Sequence, residues 1–243
     1  MKNNAVKTAL TCTCALTLLG GCASTRYTNP DDPWEGFNRG VFSFNEGMDK
    51  YLLKPVAQGY DFITPTPIQT GVTNFFGNLG DLRSFANNLL QGRLGDGMSD
   101  LMRFTFNSTF GIAGLLDIAS EAGLQKQNND FGRTLATWGV GEGPFIMVPF
   151  FGPRTTRDAL TIPVDIYSYP VTYIDHIPTR TALAILNIVN TRTHALGMER
   201  TLEEATTDKY AFMRDFYLQQ RRYRTSDGQF SLDYENFDTD ETE

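Results

Sequence analysis

The apolar residues of this chain recur at helical spacing, and glycine or proline repeatedly interrupts the pattern. Phe37, Val41, Phe44 and Met48 follow one another at intervals of four, three and four residues, which places them on one face of a helix. No segment alternates apolar and polar residues well enough for a sheet protein, and no unit of roughly 20–50 residues repeats. The pattern therefore predicts a mainly α fold.

Later segments continue this pattern. A second helix is expected from Pro55 to about residue 63, and a third with Thr66 as its N-cap and Pro67 in its first turn. The apolar face of the third helix extends through residue 91, but Gly77 and Gly80 are expected to break it into two. Further helices are expected over 98–110, 179–196 and 199–224.

The first 22 residues have the pattern of a bacterial lipoprotein leader. Lys2 and Lys7 form a short basic region before an apolar stretch at 8–19. This stretch is shorter than the ~20 residues of a membrane-spanning helix. Leu19-Gly20-Gly21-Cys22 resembles a lipobox, so cleavage before Cys22 would leave its thiol to carry the lipid. An ordinary signal peptide with a chance cysteine is the alternative. Alanine rather than aspartate after Cys22 favours export to the outer membrane.

These features divide the chain into four parts. Residues 1–21 are the expected signal peptide, 22–33 a lipidated polar tether, 34–225 a single helical domain, and 226–243 an acidic, disordered tail. The net charge is −7, from 21 basic and 28 acidic residues, and seven of the acidic residues lie in the tail. The body is thus nearly neutral, and the chain lacks the basic excess that is typical of nucleic-acid binding.

Residues 139–153 depart from the helical pattern. Three alternating glycines precede the apolar run PFIMVPFF at 144–151, whose two prolines exclude a continuous helix. A hairpin-like or irregular loop is expected, lying either in the core or against lipid, and the lipid anchor favours lipid. The candidate channel or lid residues are Gly139, Gly141, Gly143, Pro144, Phe145, Pro149, Phe150 and Gly152.

Motifs for catalysis are missing from the sequence. No G-x-S-x-G nucleophile elbow or Walker A loop occurs, and no predicted strand precedes the glycines at 139–143. His176 and His194 are the only histidines, so neither a metal site nor another cofactor is expected. The Asp31-Asp32 pair lies in a polar segment that suggests solvation. The sequence therefore favours a protein that is not an enzyme.

Arginine outnumbers lysine by 15 to 6, and several arginines lie beside apolar, glycine-rich segments. A guanidinium group suits phosphate geometry and tolerates partial burial. Arg39, Arg133 and Arg154 are therefore candidates for contact with lipid headgroups. The alternative, favoured for any single arginine, is ordinary ion pairing. The candidate partners are Glu35, Asp81, Asp100 and Asp158.

Four long stretches resemble the MlaA family of outer-membrane lipoproteins, also called VacJ. They are DPWEGFNRGVFSFNEGMDKYLLKPVAQGY (32–60), GVTNFFGNLGDLRSFANNLLQG (71–92), RFTFNSTFGIAGLLDIAS (103–120) and DFGRTLATWGVGEGPFIMVPFFGPRTTRD (130–158). A weaker match covers 208–223, so the resemblance spans most of the chain after the leader. The acidic tail has no clear counterpart.

The resemblance implies both an architecture and a function. Members of the family form a helical ring around an amphipathic channel, with an apolar hairpin beside it. They act in retrograde transport, removing phospholipid mislocalised to the outer leaflet of the outer membrane and passing it to a soluble periplasmic carrier. Association with a trimeric porin is a further family trait. The implied partners are thus phospholipid, the outer membrane, the carrier and the porin.

The residues alone are compatible with two other classes of function. An envelope-structural or porin-binding lipoprotein would need no transport activity, and a lipid hydrolase is disfavoured by the missing nucleophile motifs. If 139–153 is a lid, aspartate at Phe145 and Phe150 should impair transport but leave the helical circular dichroism intact. Loss of the fold would instead place the segment in the core.

Overall fold

A computed structural model describes residues 29–226 and confirms the mainly α fold. Most of this part of the chain is helical, and its strands form one small antiparallel pair. The α-helices are α1 (Glu35–Met48), α2 (Lys54–Ile63), α3 (Thr66–Leu90), α4 (Leu94–Thr109), α5 (Ile118–Glu121), α6 (Phe131–Thr137), α7 (Thr156–Tyr167), α8 (Ile177–Ala205) and α9 (Lys209–Thr225). The strands are β1 (Phe145–Val148) and β2 (Gly152–Thr155), and a 3₁₀ helix spans Pro170–Tyr173. The leader at 1–21 and the tail beyond residue 226 lie outside the described residues.

The first two helices are joined by a π-helical turn, Asp49–Leu53, instead of a break. Pro55 lies in the first turn of α2 and has no N–H to donate. The wider turn before it lets the helix continue, because a π-turn shifts the hydrogen-bond register by one residue. Arg192 of α8 holds this turn by donating to both carboxylate oxygens of Asp49, at 2.7 and 2.8 Å.

The predicted break in the third helix is wrong, because α3 runs without interruption for 25 residues. A helical glycine costs only about 1 kcal/mol relative to alanine, and packing against neighbouring helices outweighs two such costs. Lys126 strengthens the middle of the helix by donating to the carbonyl of Gly77 at 2.7 Å. The predicted cap is also wrong, since Pro65 rather than Thr66 is the N-cap residue.

The predicted boundary between the last two helices is displaced. Residues 179–196 and 199–205 belong to one helix, α8, which passes through Gly197. The next helix begins at Lys209 because Asp208 caps it and accepts a hydrogen bond from the backbone N–H of Ala211 at 3.1 Å. Here a capping carboxylate, and not a glycine, sets the boundary.

The interior of the described body is unusually polar. Among residues 29–226, buried polar and charged side chains outnumber buried apolar ones. The apolar core is a small cluster of Phe145, Met147, Tyr210 and Leu218, which joins the β-hairpin to α9. Large apolar side chains are exposed instead, including Phe62 at 90% and Leu160 at 75%. This arrangement inverts the usual distribution of a water-soluble domain.

Candidate functional site

The segment at 139–153 contains most of a two-stranded hairpin that is anchored at its base and exposed at its tip. Phe145 pairs with Thr155 and Val148 with Gly152, so the turn lies at 149–151. The Phe145 ring is fully buried and meets Tyr210 and Tyr217 edge-on, whereas Phe150 is 73% exposed. The strand therefore lies in the core, which is one of the two locations that the sequence left open. The turn is exposed, and its contact with lipid stays a prediction.

The tip of the hairpin has a backbone conformation that favours glycine. Phe150 has a φ of 65° and Gly152 a φ of 76°, both in the left-handed region. Asn45 of α1 holds this turn, because its side chain donates to the carbonyl of Val148 at 3.1 Å and accepts from the N–H of Phe150 at 2.9 Å. The Phe150 ring also contacts Phe44 edge-on, with centroids 5.4 Å apart.

The other glycines and prolines of the candidate set lie before and within the hairpin. Gly139 ends the turn after α6 with a φ of 88°, and Gly143 has a φ of 66° next to Thr156. The carbonyl of Pro144 accepts from the N–H and the hydroxyl of Thr156, at 2.9 and 2.8 Å. Pro149 and Gly141 occupy exposed positions, Pro149 at the turn and Gly141 before the hairpin. This set of contacts fixes where the hairpin starts.

Asp32 ties the start of the body to the hairpin and to α9. Its buried carboxylate accepts from Asn38 at 2.8 Å, from the Tyr210 hydroxyl, and from Arg214 at 3.4 Å. Asn38 in turn binds the backbone of β1, accepting from the N–H of Met147 at 2.8 Å. Burial and then the hydrogen bond to Asp32 raise the pKa of Tyr210. The prediction that this carboxylate is solvated is wrong, because its partners come from α1 and α9.

A second buried cluster joins α6, α7 and α9. Arg221 contacts Asp130 through Nη1 and Nη2, at 2.6 and 2.7 Å, and contacts both oxygens of Asp158, at 2.8 and 2.7 Å. The Tyr217 hydroxyl donates to Asp158 at 2.8 Å. Burial opposes the charge of Asp130, but the hydrogen bonds from Arg221 outweigh it and lower the pKa of that carboxyl. The cluster fixes α9 against the hairpin side of the body.

Side chains of α3 and α4 form a polar seam along the contact between these two helices. Asn78 donates to Ser108 at 2.9 Å, and Asn88 donates to Asp100 at 2.7 Å. Arg103 pairs with Asp81 at 3.3 Å and makes two 3.0 Å contacts with Asp117. Burial opposes the ionisation of Asp117, but hydrogen bonds from Ser120, Asn107 and Arg103 lower its pKa to about 2.

The arginines considered for headgroup contact have different surroundings. Arg39 is paired with Glu35 and Asp208, both at 2.7 Å, and lies over the Tyr210 ring. Arg133 is buried in α6. Arg154 of β2 donates to the carbonyl of Pro153 at 2.9 Å and makes no ion pair with another described residue.

Ion pairing is confirmed for the expected partners Glu35, Asp81 and Asp158. Asp100 is the exception, since it makes no ion pair within residues 29–226. It accepts from Asn88 instead, and burial raises the pKa of its carboxyl. The pattern shows that most arginines of the body serve to join elements, and it leaves few of them available for a ligand.

An apolar groove of about 520 Å³ lies between α2 and α8. Its lining is almost entirely aliphatic, with one tyrosine: Val56, Tyr60, Ile63, Ala182, Ile185, Leu186 and Val189. The hydroxyl of Tyr60 points to a polar partner, donating to Asn190 at 3.1 Å. The outer surface thus combines an apolar groove with exposed apolar side chains.

No cluster of His, Cys, Asp and Glu suited to a metal ion occurs within residues 29–226. In the same part of the chain, no helix is both long enough and apolar enough to cross a bilayer.

Comparison with known proteins identifies the family. The family model for the MlaA lipoprotein matches residues 30–224. The chain belongs to the MlaA lipoprotein family. The intermembrane phospholipid transport system lipoprotein MlaA of Escherichia coli (strain K12) is 35% identical to it over 219 residues, covering 88% of this chain and 86% of the relative. The protein of the same name from Haemophilus influenzae (strain ATCC 51907 / DSM 11121 / KW20 / Rd) is 32% identical over 236 residues, covering 94% and 93%.

A solved structure has the same fold as this family member. It is described by the words "Structural basis for maintenance of bacterial outer membrane lipid asymmetry" and matches with a TM-score of 0.69 at 33% identity. The match covers 80% of this chain and 98% of the other. The resemblance inferred from the sequence motifs is therefore confirmed, as is the mainly α fold.

Proposed function

We propose that this chain is an outer-membrane lipoprotein that acts in retrograde phospholipid transport. It would remove phospholipid mislocalised to the outer leaflet and pass it to a periplasmic carrier, which maintains the lipid asymmetry of the outer membrane. The names of its relatives, which refer to intermembrane phospholipid transport, support this proposal. The matched structure, whose description refers to bacterial outer membrane lipid asymmetry, supports it as well.

The observation that carries the proposal is the inverted polarity of the body. Arg103, Asp81 and Asn88 are fully buried, whereas Phe62 and Leu160 are largely exposed. Exposed apolar surface of this extent favours contact with hydrocarbon or with another protein. A polar interior within an apolar exterior suits a protein that handles a headgroup, whose transfer through hydrocarbon alone would be costly.

The helices are proposed to form a ring around an amphipathic channel, with the hairpin as its lid. In this proposal Phe145 and Pro144 anchor the lid, while Pro149 and Phe150 form its moving edge. Gly139, Gly141, Gly143 and Gly152 would shape the backbone around it. The positive φ values of Gly139, Gly143 and Gly152 support that role, because other residues seldom adopt them.

The remaining partners follow from the same proposal. A soluble periplasmic carrier would receive the lipid, and a trimeric porin would hold the protein in the outer membrane. Phospholipid itself is the transported substrate. No covalent bond changes during such transport, so the proposed activity requires no catalytic residue.

Deletion of the gene is expected to raise the amount of phospholipid in the outer leaflet. Lipid that reaches the outer leaflet would no longer be removed, and it would accumulate there. Labelling of intact cells with a membrane-impermeant amine reagent measures exposed phosphatidylethanolamine, and a strain carrying the restored gene is the control. Unchanged labelling would contradict transport and favour the alternative of a structural, porin-binding lipoprotein.

Cys22→Ala is expected to abolish incorporation of labelled palmitate and retention in the membrane fraction. The lipid is proposed to be attached to this thiol, and stable anchoring requires more than one acyl chain. Cys12→Ala, within the leader, is the matched control and should be labelled like the parent. Continued palmitate incorporation in Cys22→Ala would refute the assignment of Cys22 as the anchor.

A further inference from the structure

α3 borders open space at Gly80. Gly80 and Arg83 are three residues apart and therefore lie on the same side of this helix. A Cβ added at Gly80 would meet no atom within 4 Å, apart from the helix's own backbone. Two turns earlier the helix is packed, because the hydroxyl of Thr73 accepts from Asn190 of α8 at 2.7 Å. The side of α3 that carries Gly80 and Arg83 is therefore open at Gly80.

Arg83 lies one turn beyond this open space. Its Nε atom is buried and makes no hydrogen bond, and the side chain makes no ion pair with a residue in 29–226. Its positive charge nevertheless lowers the pKa values of Asp130, Asp165 and Tyr169 relative to what burial alone would give. The guanidinium charge thus acts on groups at the start of α6, at the end of α7 and in the turn that follows α7.

The two carboxyl groups whose pKa values Arg83 lowers are already engaged in other hydrogen bonds. Asp130 accepts from Arg221 at 2.6 and 2.7 Å. Asp165 accepts from the N–H of Phe131 at 3.1 Å, and burial raises the pKa of its carboxyl. Neither carboxylate hydrogen-bonds to Arg83. A partly buried guanidinium without a carboxylate partner is suited to an external anion.

We infer that Arg83, together with the open space beside Gly80, binds the phosphate group of a phospholipid. This inference rests on the proposed function and deepens it by assigning a headgroup site. The planar guanidinium presents two parallel N–H donors to two phosphate oxygens. Gly80 leaves room for the headgroup where any larger side chain would occupy the space. Arg83 is then a binding residue of the transport path, and the site lies on α3 instead of on the hairpin.

The test measures binding to the full-length protein purified in non-ionic detergent. Dihexanoyl phosphatidylglycerol, below its own micelle concentration, is the lipid probe, and inorganic phosphate is titrated separately. Arg83→Gln is expected to weaken lipid binding about tenfold or more, as loss of a charge-assisted hydrogen bond predicts. Gly80→Leu should weaken it as well, because the added side chain fills the gap but leaves Arg83 in place.

Two matched variants control for charge and for side-chain size. Arg224→Gln removes an exposed arginine near the end of α9, and Gly59→Leu adds the same side chain to an open position of α2. Both are expected to bind the lipid like the parent. Arg83→Lys should restore part of the affinity, because it keeps the charge but loses the paired donors.

The outcomes separate this site from the proposed function. Equal lipid binding by the parent and Arg83→Gln would overturn the inference, as would phosphate binding as tight as lipid binding. Transfer of fluorescent lipid between vesicles by the reconstituted protein is measured in parallel. Transfer by the parent and by Arg83→Gln at the same rate would reject the site while the function stands. No transfer by the parent, together with Arg83-dependent binding, would reject the function while the phosphate site stands.

Discussion

Phe145→Asp is expected to unfold the body of the protein, whereas Phe150→Asp is expected to leave it folded. Phe145 is fully buried between Tyr210 and Tyr217, so the substitution removes a core ring and places a carboxylate where it has no partner. We expect a loss of about 4 kcal/mol or more in the free energy of unfolding, from the cavity and the buried charge together. Phe150 is 73% exposed, and its side chain leaves the core untouched.

The measurement is denaturation in detergent followed by helical circular dichroism, with the two variants compared side by side. Phe150→Asp also tests the proposed lid, because a charge at the tip should reduce lipid removal in a protein that remains folded. Equal stability of Phe145→Asp and the parent would show that β1 is not part of the core. Normal lipid removal by Phe150→Asp would count against the lid.

The hairpin illustrates which features the sequence can predict and which it cannot. The two prolines of the apolar run exclude a continuous helix, and the predicted hairpin-like element is confirmed. The run itself has no period that separates buried from exposed residues. Which of its phenylalanines enters the core depends on Tyr210 and Leu218, which come from a helix more than 60 residues away. The local sequence of the run therefore cannot predict that contact.

The helices illustrate a similar limit. Apolar spacing predicted α1 correctly, yet Phe37 and Phe44 are about half exposed while Asn38 is fully buried. Periodicity identifies a face and not the medium that the face contacts. In this body the apolar face of α1, which would pack into the core of a water-soluble domain, is partly exposed. For the same reason the sequence predicts a solvated Asp32, which the structure places in the interior.

Glycines have two different structural roles in this protein, and the sequence alone does not distinguish them. Gly80 was expected to end a helix, but it lies within continuous α3 beside open space. Gly132 has no distinguishing sequence signal apart from the family motif, yet it lies against a buried ion-pair cluster. Only the tertiary contacts distinguish a glycine that leaves a space from one that allows a close approach.

The close approach at Gly132 leads to the second large effect. Gly132→Ala is expected to destabilise the body by about 3–5 kcal/mol, comparable to the loss of one partner of a buried ion pair. Its added Cβ would clash with Oδ1 of Asp158 and would lie 2.5 Å from Nη2 of Arg221. The arginine cannot move away without losing Asp130 or Asp158, because it contacts both.

The matched control is Gly40→Ala in α1, where an added Cβ meets nothing within 4 Å. Alanine should stabilise that helical position by about 0.5–1 kcal/mol. Chemical denaturation of both variants gives the comparison. Repeating Gly132→Ala in an Arg221→Ala background should give a much smaller loss, since one of the two clashing groups is then absent. An unchanged loss in that background would mean that the clash with Arg221 does not cause the effect, and stability equal to that of Gly40→Ala would reject the close approach altogether.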